Sequence, residues 1–290
     1  CSQATALHLA YRGRRMVVVG DEKQLQNPWV RFLPEDLVQL LLTKHELHNH
    51  RNADVLHAKV SLLGLATRCS NSQQFLDEHF RSEPPIIAWS NKHFYSNRLK
   101  ILTPIWPRRF SPCMELRLVR GADDDPDDSK TNELEAKAVI QEVRRLLENP
   151  ENEGFSIGAI SPFRQQADLL QHLIYNEFVD HPEWIRSRRL VASTADGFQG
   201  DERDIILYSM RYGPSSKPGS IHAIEMEKER LNVAFTRARR KVICFVSVPL
   251  DGFPQSSRAK AASAAVADPS IRGYLEHVDS EQKRPAGRLG

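Results

Sequence analysis

The stretch ELEAKAVIQEVRRLLEN, starting at Glu133, is amphipathic with the period of an α-helix. FSIGAIS, from Phe155, is a short apolar run of the kind that forms a buried strand. The same pairing recurs along the chain. MELRLV predicts a strand, PFRQQADLLQHLIYNEF a helix, and RRLVAST and DIILYSM two strands around a polar loop. In ERLNVAFTRARRKVICF, Leu231, Ala234, Phe235 and Ala238 share one helical face, and the apolar strand KVICFV comes directly after. Strands alternating with helices over about residues 114–247 predict a parallel sheet covered on both faces, an α/β class.

Upstream the pattern is looser. RRMVVVGDEKQL predicts a buried strand from Met16 to Val19, ending in a polar turn at Gly20 and Asp21. From Pro34 to about Ala66 the chain is leucine-rich and mostly helical in pattern, with a polar break at HNHRNAD. PPIIAWSNKHFYSNRL opens a helix on two prolines, which suit the first helical turn. GADDDPDDSKTNE is an acidic loop, and from Asp251 the chain becomes a weakly patterned tail rich in Ala, Ser and Gly.

Composition narrows the class. With 40% hydrophobic and 27% charged residues over 290, the chain is globular rather than disordered. A net charge of +3 is too mild to imply nucleic acid by itself. No apolar run approaches a membrane span, and no signal-peptide pattern occurs. The four cysteines lie far apart without a CxxC pair, which argues against a disulfide framework or a zinc site and for a reducing, cytoplasmic setting. The opening residue is Cys1 rather than Met, so a longer parent protein is expected.

In parallel sheets ligands sit beyond the carboxyl ends of the strands. After VAST comes ADGFQGDERD, where Gly197 and Gly200 let backbone amides approach an anion beside Asp196 and Glu202; an ordinary turn is the alternative. After VVVG come Asp21, Lys23 and Gln24, either a site for water or phosphate or a polar strand exit. EHFRSEPP places Phe80 and Arg81 before a helix, as a base-stacking ring and a phosphate clamp, or as a core ring and a surface charge. Arg230, Arg237, Arg239 and Arg240 crowd one helix end, as a solvated face or with one of them on a polyphosphate. His45, His48, His50 and His57 complete no zinc pattern, and the run Asp123 to Asp128 lacks calcium-loop spacing, so no metal site is expected within the chain.

Taken in order, GDEKQL, HFRSEPPIIAWSNKHFY, ISPFRQQ, STADGFQGDERDIILYS and RLNVAFTRAR resemble motifs III, IV, IVa, V and VI of the superfamily 1 helicases. The resemblance is strongest to the branch of the nonsense-mediated mRNA decay helicase and its bacterial relatives, and covers about residues 1–250. It implies two RecA-like P-loop NTPase domains, with ATP between them and single-stranded DNA or RNA across their top. Residues 1–45 would end the first domain, 46–75 form a helical connector, 76–250 the second domain, and 251–290 a tail or linker.

Carried onto this chain, Gln24 resembles the glutamine that senses the γ-phosphate, and Arg81 and Arg237 the two arginines that contact it. Glu202 resembles the motif V glutamate near ribose and phosphates, with Gly200 in its loop and Asp21 at the strand exit. Phe80 holds the place of an adenine-stacking aromatic, and Thr194, Ser161 and Phe163 resemble positions at or near the bound strand. Arg239, Arg240 and Lys241 read as surface charge or strand attraction, and Arg186, Arg188 and Arg189 as a basic strip or a solubilising one.

The departures set further expectations. No stretch fits the P-loop G-x-x-x-x-G-K-[ST], and CSQAT resembles the segment just after the Walker B carboxylates. ATP and Mg2+ would then be held mainly by residues outside the chain, which alone should not hydrolyse ATP. Gln-Asn-Pro comes after motif III, motif IV reads Phe-Arg-Ser, and Asp201 adds negative charge. The expected partners are a single strand and an N-terminal RecA-like domain of the same protein, with a nuclease domain as a further candidate to which SIRGYLEHVDS would be a bridge; none is a membrane. The 5′ to 3′ polarity is implied by analogy alone. The alternatives are a non-catalytic nucleic-acid-binding module and the motor of a restriction or repair nuclease.

Overall fold

The computed structural model describes residues 11–25, 35–47, 49, 61–70, 72–104, 110–121, 131–225, 228–254 and 269–284. CSQAT, most of the HNHRNAD break with His48, His50 and His57, and the acidic run Asp123 to Asp128 lie outside them. The chain divides into two compact units, Cys1–Leu76 and Asp77–Gly290.

The first unit contains helices α1 (Glu35–Lys44) and α2 (Leu62–Cys69). The Ser61 hydroxyl caps α2 by accepting the Gly64 N–H at 3.0 Å. The expected strand from Met16 to Val19 does not form. Residues 16–19 carry no strand pairing, and Met16, Val17 and Val19 are exposed. An apolar run becomes a strand only when a neighbour takes its backbone hydrogen bonds, and no described residue does so here.

The second unit opens with a short parallel pair, β1 (Glu78–His79) and β2 (Lys100–Ile101). Its core is a five-stranded parallel sheet of β3 (Met114–Leu118), β4 (Ile157–Ile160), β5 (Val191–Ser193), β6 (Arg203–Ser209) and β7 (Ala238–Val246), in the order β3-β7-β6-β4-β5. The α/β expectation holds, and the sheet has the RecA-like arrangement. Side-chain alternation sorts the layers. Ile205, Leu207, Ile243 and Phe245 face α4 (Glu133–Glu148) and α5 (Arg164–Glu177) through Val139, Val143, Leu170 and Ile174. Tyr208, one step along β6, packs instead on Phe235 with ring centroids 5.4 Å apart. That second layer contains α3 (Pro84–Phe94), α8 (Lys228–Phe235) and α9 (Ile271–Gln282). Two shorter helices, α6 (Pro182–Ser187) and α7 (Pro218–Glu225), complete the described elements used below.

Two expectations change. The helix of ERLNVAFTRARR stops at Phe235, so Ala238, Arg239 and Arg240 belong to β7. The Thr236 hydroxyl donates to the Asn232 carbonyl at 2.8 Å and finishes the last turn. The tail expected to be weakly patterned contains α9, capped by Ser270, with Ile271, Tyr274, Leu275 and Val278 buried. Tyr274 stacks on Phe235 at 3.5 Å, and Trp89 meets both rings edge-on at 5.3 Å. Gln282 accepts the Leu116 N–H at 2.7 Å, which occupies a donor of edge strand β3. SIRGYLEHVDS is therefore part of this core.

Candidate functional site

The loop between β1 and α3 positions Arg81. Its neighbour Ser82 donates its hydroxyl to the Ala238 carbonyl at 2.8 Å, and the Glu83 N–H reaches the Arg239 carbonyl at 2.8 Å. The Ser82 N–H reaches Nε2 of His79 at 2.9 Å, so that nitrogen is unprotonated. Burial, then the charge of Arg81, pushes the His79 imidazole down to about 4, which agrees with a neutral ring. The loop is thus stitched to the start of β7, and Arg81 projects from it at the amino ends of β6 and β7. Its Nε makes a close ion pair with Oε2 of Glu202. Phe80 beside it is 58% exposed, a ring face open to solvent.

The loop after β5 brings Glu202 there. Gly200 has φ +81°, a left-handed conformation that favours glycine. At Gly197 a Cβ would lie 2.0 Å from the Ser193 hydroxyl, so only glycine fits. Phe198 is buried under the loop, with the Arg203 guanidinium 5.5 Å from its ring centre. Asp196 pairs with Arg230 of α8 at 3.1 Å, tying this loop to the motif VI helix. Asp201 pairs with Arg189 at 2.6 Å and Arg203 at 2.7 Å. Burial raises its pKa, but the hydrogen bond from Arg203, the Glu202 N–H and both arginine charges outweigh this and hold its carboxyl below the usual range.

Arg237 lies beneath, between α8 and β7, and is 2% exposed. Its carbonyl takes the Arg203 N–H at 3.0 Å, next to Glu202 in sequence. Its guanidinium donates to the carbonyls of Val233 at 2.9 Å and Asp201 at 3.3 Å, and to the Thr236 hydroxyl at 3.3 Å. Burial, then the charge of Arg81, pushes it down to about 10; Glu202, Tyr95 and Asp201 pull the other way. Arg81, Glu202 and Arg237 thus gather in one place. Gln24 and Asp21 belong to the first unit. There Asp21 organises a turn, accepting the Lys23 N–H at 2.8 Å and the Gln24 side-chain amide at 2.9 Å.

The carboxyl ends of β4, β5 and β6 hold the residues expected near a bound strand. Ser161 is fully buried and its hydroxyl accepts the Phe163 N–H at 3.3 Å, while Thr194 and Phe163 are partly exposed. Phe163 lies under the Arg211 guanidinium, 5.0 Å from the ring centre. Arg211 has φ +58° and is 6% exposed. Its N–H goes to Glu135 at 2.7 Å, and the hydroxyls of Ser209 and Ser247 donate to the same carboxylate at 2.6 Å each. Asn132 and Gln166 complete this buried network, bonding to Ser247 at 2.9 Å and Ser209 at 3.0 Å. Burial pushes the Glu135 carboxyl up to about 7 against the pull of its three donors.

Sequence reasoning missed Glu135, whose partners are scattered over the chain. Its one sequence signal is a carboxylate in the first turn of a helix that opens at the strand ends. Arg188 and Arg189 of the suggested basic strip are otherwise engaged. Arg188 donates to the Asn152 carbonyl, and Arg189 pairs with Asp201.

A family model described as an AAA domain matches residues 58–248. This chain belongs to that family. Its relatives are superfamily 1 helicases, and they align over most of it. An uncharacterized ATP-dependent helicase of Mycoplasma pneumoniae is 28% identical over 261 residues, covering 83% of this chain and 21% of its own length. Helicase SEN1 of Saccharomyces cerevisiae is 26% identical over 260 residues, covering 83% and 10%. Probable helicase senataxin of Homo sapiens is 23% identical over 248 residues, covering 82% and 9%. The chain therefore spans about a fifth or less of these helicases. The match as a superfamily 1 helicase agrees with the motif reading, and α9 lies beyond the residues that the family model covers.

Proposed function

We propose that this chain supplies the second RecA-like half of an ATP-driven motor on single-stranded nucleic acid. The P-loop and Walker B carboxylates would come from an N-terminal domain of the same protein. What carries the reading is the meeting of Arg81 and Arg237. Two guanidinium groups from distant segments lie close enough for one to depress the pKa of the other, and the carboxylates of Glu202 and Asp201 offset this only in part. A polyanion relieves such repulsion.

The residues fit ATP. Phe80 offers a ring face to the base, Glu202 and Gly200 lie where ribose and phosphates pass, and Arg81 can reach the γ-phosphate from an exposed edge. Arg237 would act as an arginine finger, stabilising charge on the transferring phosphoryl group. Bound ATP would supply that phosphoryl group. Mg2+ would be held mainly by residues of the N-terminal domain together with the phosphates. Thr194 and Phe163, with Ser161 beneath, would face the strand.

The test is the ATPase rate of the full-length protein alone and with matched single-stranded DNA and RNA oligonucleotides. Several-fold stimulation by one polymer is expected and names the track. A rate that neither polymer changes would overturn the motor reading.

A further inference from the structure

In sequence Arg239 is one of three consecutive basic residues with the look of surface charge. In the fold it occupies a particular place. Its Nε lies 3.6 Å from Oε1 of Glu202, while Oε2 of the same carboxylate is held by Arg81. One carboxylate therefore carries a guanidinium on each oxygen. The backbone keeps the two arginines in register. The Arg239 carbonyl takes the Glu83 N–H, and the Ala238 carbonyl takes the Ser82 hydroxyl, so the start of β7 and the Arg81 loop are fixed to each other. Neither side chain is buried; Arg81 is 40% exposed and Arg239 47%, against 33% for Glu202. Arg239 also lies 4.0 Å from Asp204, but that carboxylate already accepts the Ser156 N–H and hydroxyl at 2.9 and 2.7 Å and has Arg240 at 3.6 Å. Glu202 is the partner that depends on Arg239.

We propose that Arg239 is a positioning residue that retains Glu202 when Arg81 turns from it to the γ-phosphate of a bound nucleoside triphosphate. The proposal rests on the reading of Arg81 as a phosphate contact. Glu202 pairs with Arg81 and holds it against its own unit. To reach a γ-phosphate, Arg81 must release this carboxylate. A carboxylate left without a cation beside a triphosphate would repel it. Arg239 prevents that by sitting on the other oxygen throughout. Removing Arg239 lets both oxygens close on Arg81 as a fork, the tighter geometry, so the release becomes harder. A diphosphate has no γ-phosphate to draw Arg81 and is indifferent to the exchange.

The experiment is equilibrium binding to the full-length protein of a slowly hydrolysed ATP analogue and of ADP. Wild type is compared with Arg239→Gln and Arg239→Lys. Exposed ion pairs set the scale, so Arg239→Gln should weaken the triphosphate about three- to fivefold and leave ADP within about twofold. Arg239→Lys should lie nearer to wild type. Equal weakening of both nucleotides would mean a general structural role and overturn the proposal, as would unchanged triphosphate binding. If the wild-type protein binds neither nucleotide, the functional reading itself falls, and the proposal falls with it.

Discussion

Glu135 and Glu202 are carboxylates of the same folded unit, each held by more than one donor, and their surroundings differ in every physical respect. Glu135 is fully enclosed and answers to two hydroxyls and a backbone N–H. Glu202 is a third exposed and answers to two arginines on flexible stems. The first arrangement cannot exchange partners without leaving orphaned donors in a dry interior. The second can, because water and a neighbouring guanidinium compensate each step. One polar cluster thus fixes where β6, β7, α4 and α5 meet, and the other leaves a charged, solvent-facing surface.

The contrast can be broken most forcefully at Glu135. Glu135→Ala would strand three donors at once and should lower unfolding free energy by about 3 kcal/mol or more, read from urea titration. A loss under about 1 kcal/mol would show that the network is not structural. The pH response comes next. The Glu135 carboxyl is raised to about 7, so the folded state keeps a proton that the unfolded chain has lost. Its contribution is complete below the usual carboxylate range and disappears as pH rises through about 7. Between about pH 5 and 8 this group alone should remove on the order of 2–3 kcal/mol, and Glu135→Gln should flatten that slope. His79 acts in the opposite sense: lowered to about 4, it contributes above its usual 6.5, and that contribution is lost as pH falls through about 4. A pH-dependence of stability between about pH 5 and 8 that Glu135→Gln leaves unchanged would contradict the assignment. The smallest effect belongs to the exposed cluster, where Arg81→Ala should change unfolding free energy by less than about 1 kcal/mol. A larger loss would place Arg81 with the structural groups and erase the contrast.

Much of this architecture is legible in the sequence. The parallel sheet is announced by strand runs such as IGAI and DIILYS alternating with amphipathic helices, because burial on both faces imposes that pattern. The loops with Ser161 and Thr194 stand at carboxyl ends of strands, where the topology places ligands, whereas Glu202 and Arg239 meet at the amino ends of β6 and β7. What escapes a sequence reading is set by contacts between distant segments. Met16 to Val19 has the composition of a strand but no described neighbour to pair with. Arg237 looks like part of a charged helix face, yet the helix ends two residues earlier and the side chain turns inward to carbonyls. The α9 helix is hidden by the low-complexity composition before it; its one visible signal is a Ser270 cap ahead of Ile271, Tyr274, Leu275 and Val278. Arg239 is set apart from its neighbours Arg240 and Lys241 by the carboxylate it faces, and no local pattern encodes that.

The central claim is that this unit presents Arg237 to a phosphoryl group in transfer. The most direct measurement is the steady-state ATPase of the full-length protein at saturating single strand, wild type beside Arg237→Ala, with folding of the variant verified by its melting curve. The account expects kcat to fall by about 10³ or more. A variant that is folded and within tenfold of wild type would contradict it, and would leave the buried guanidinium only its hydrogen bonds to Val233 and Asp201.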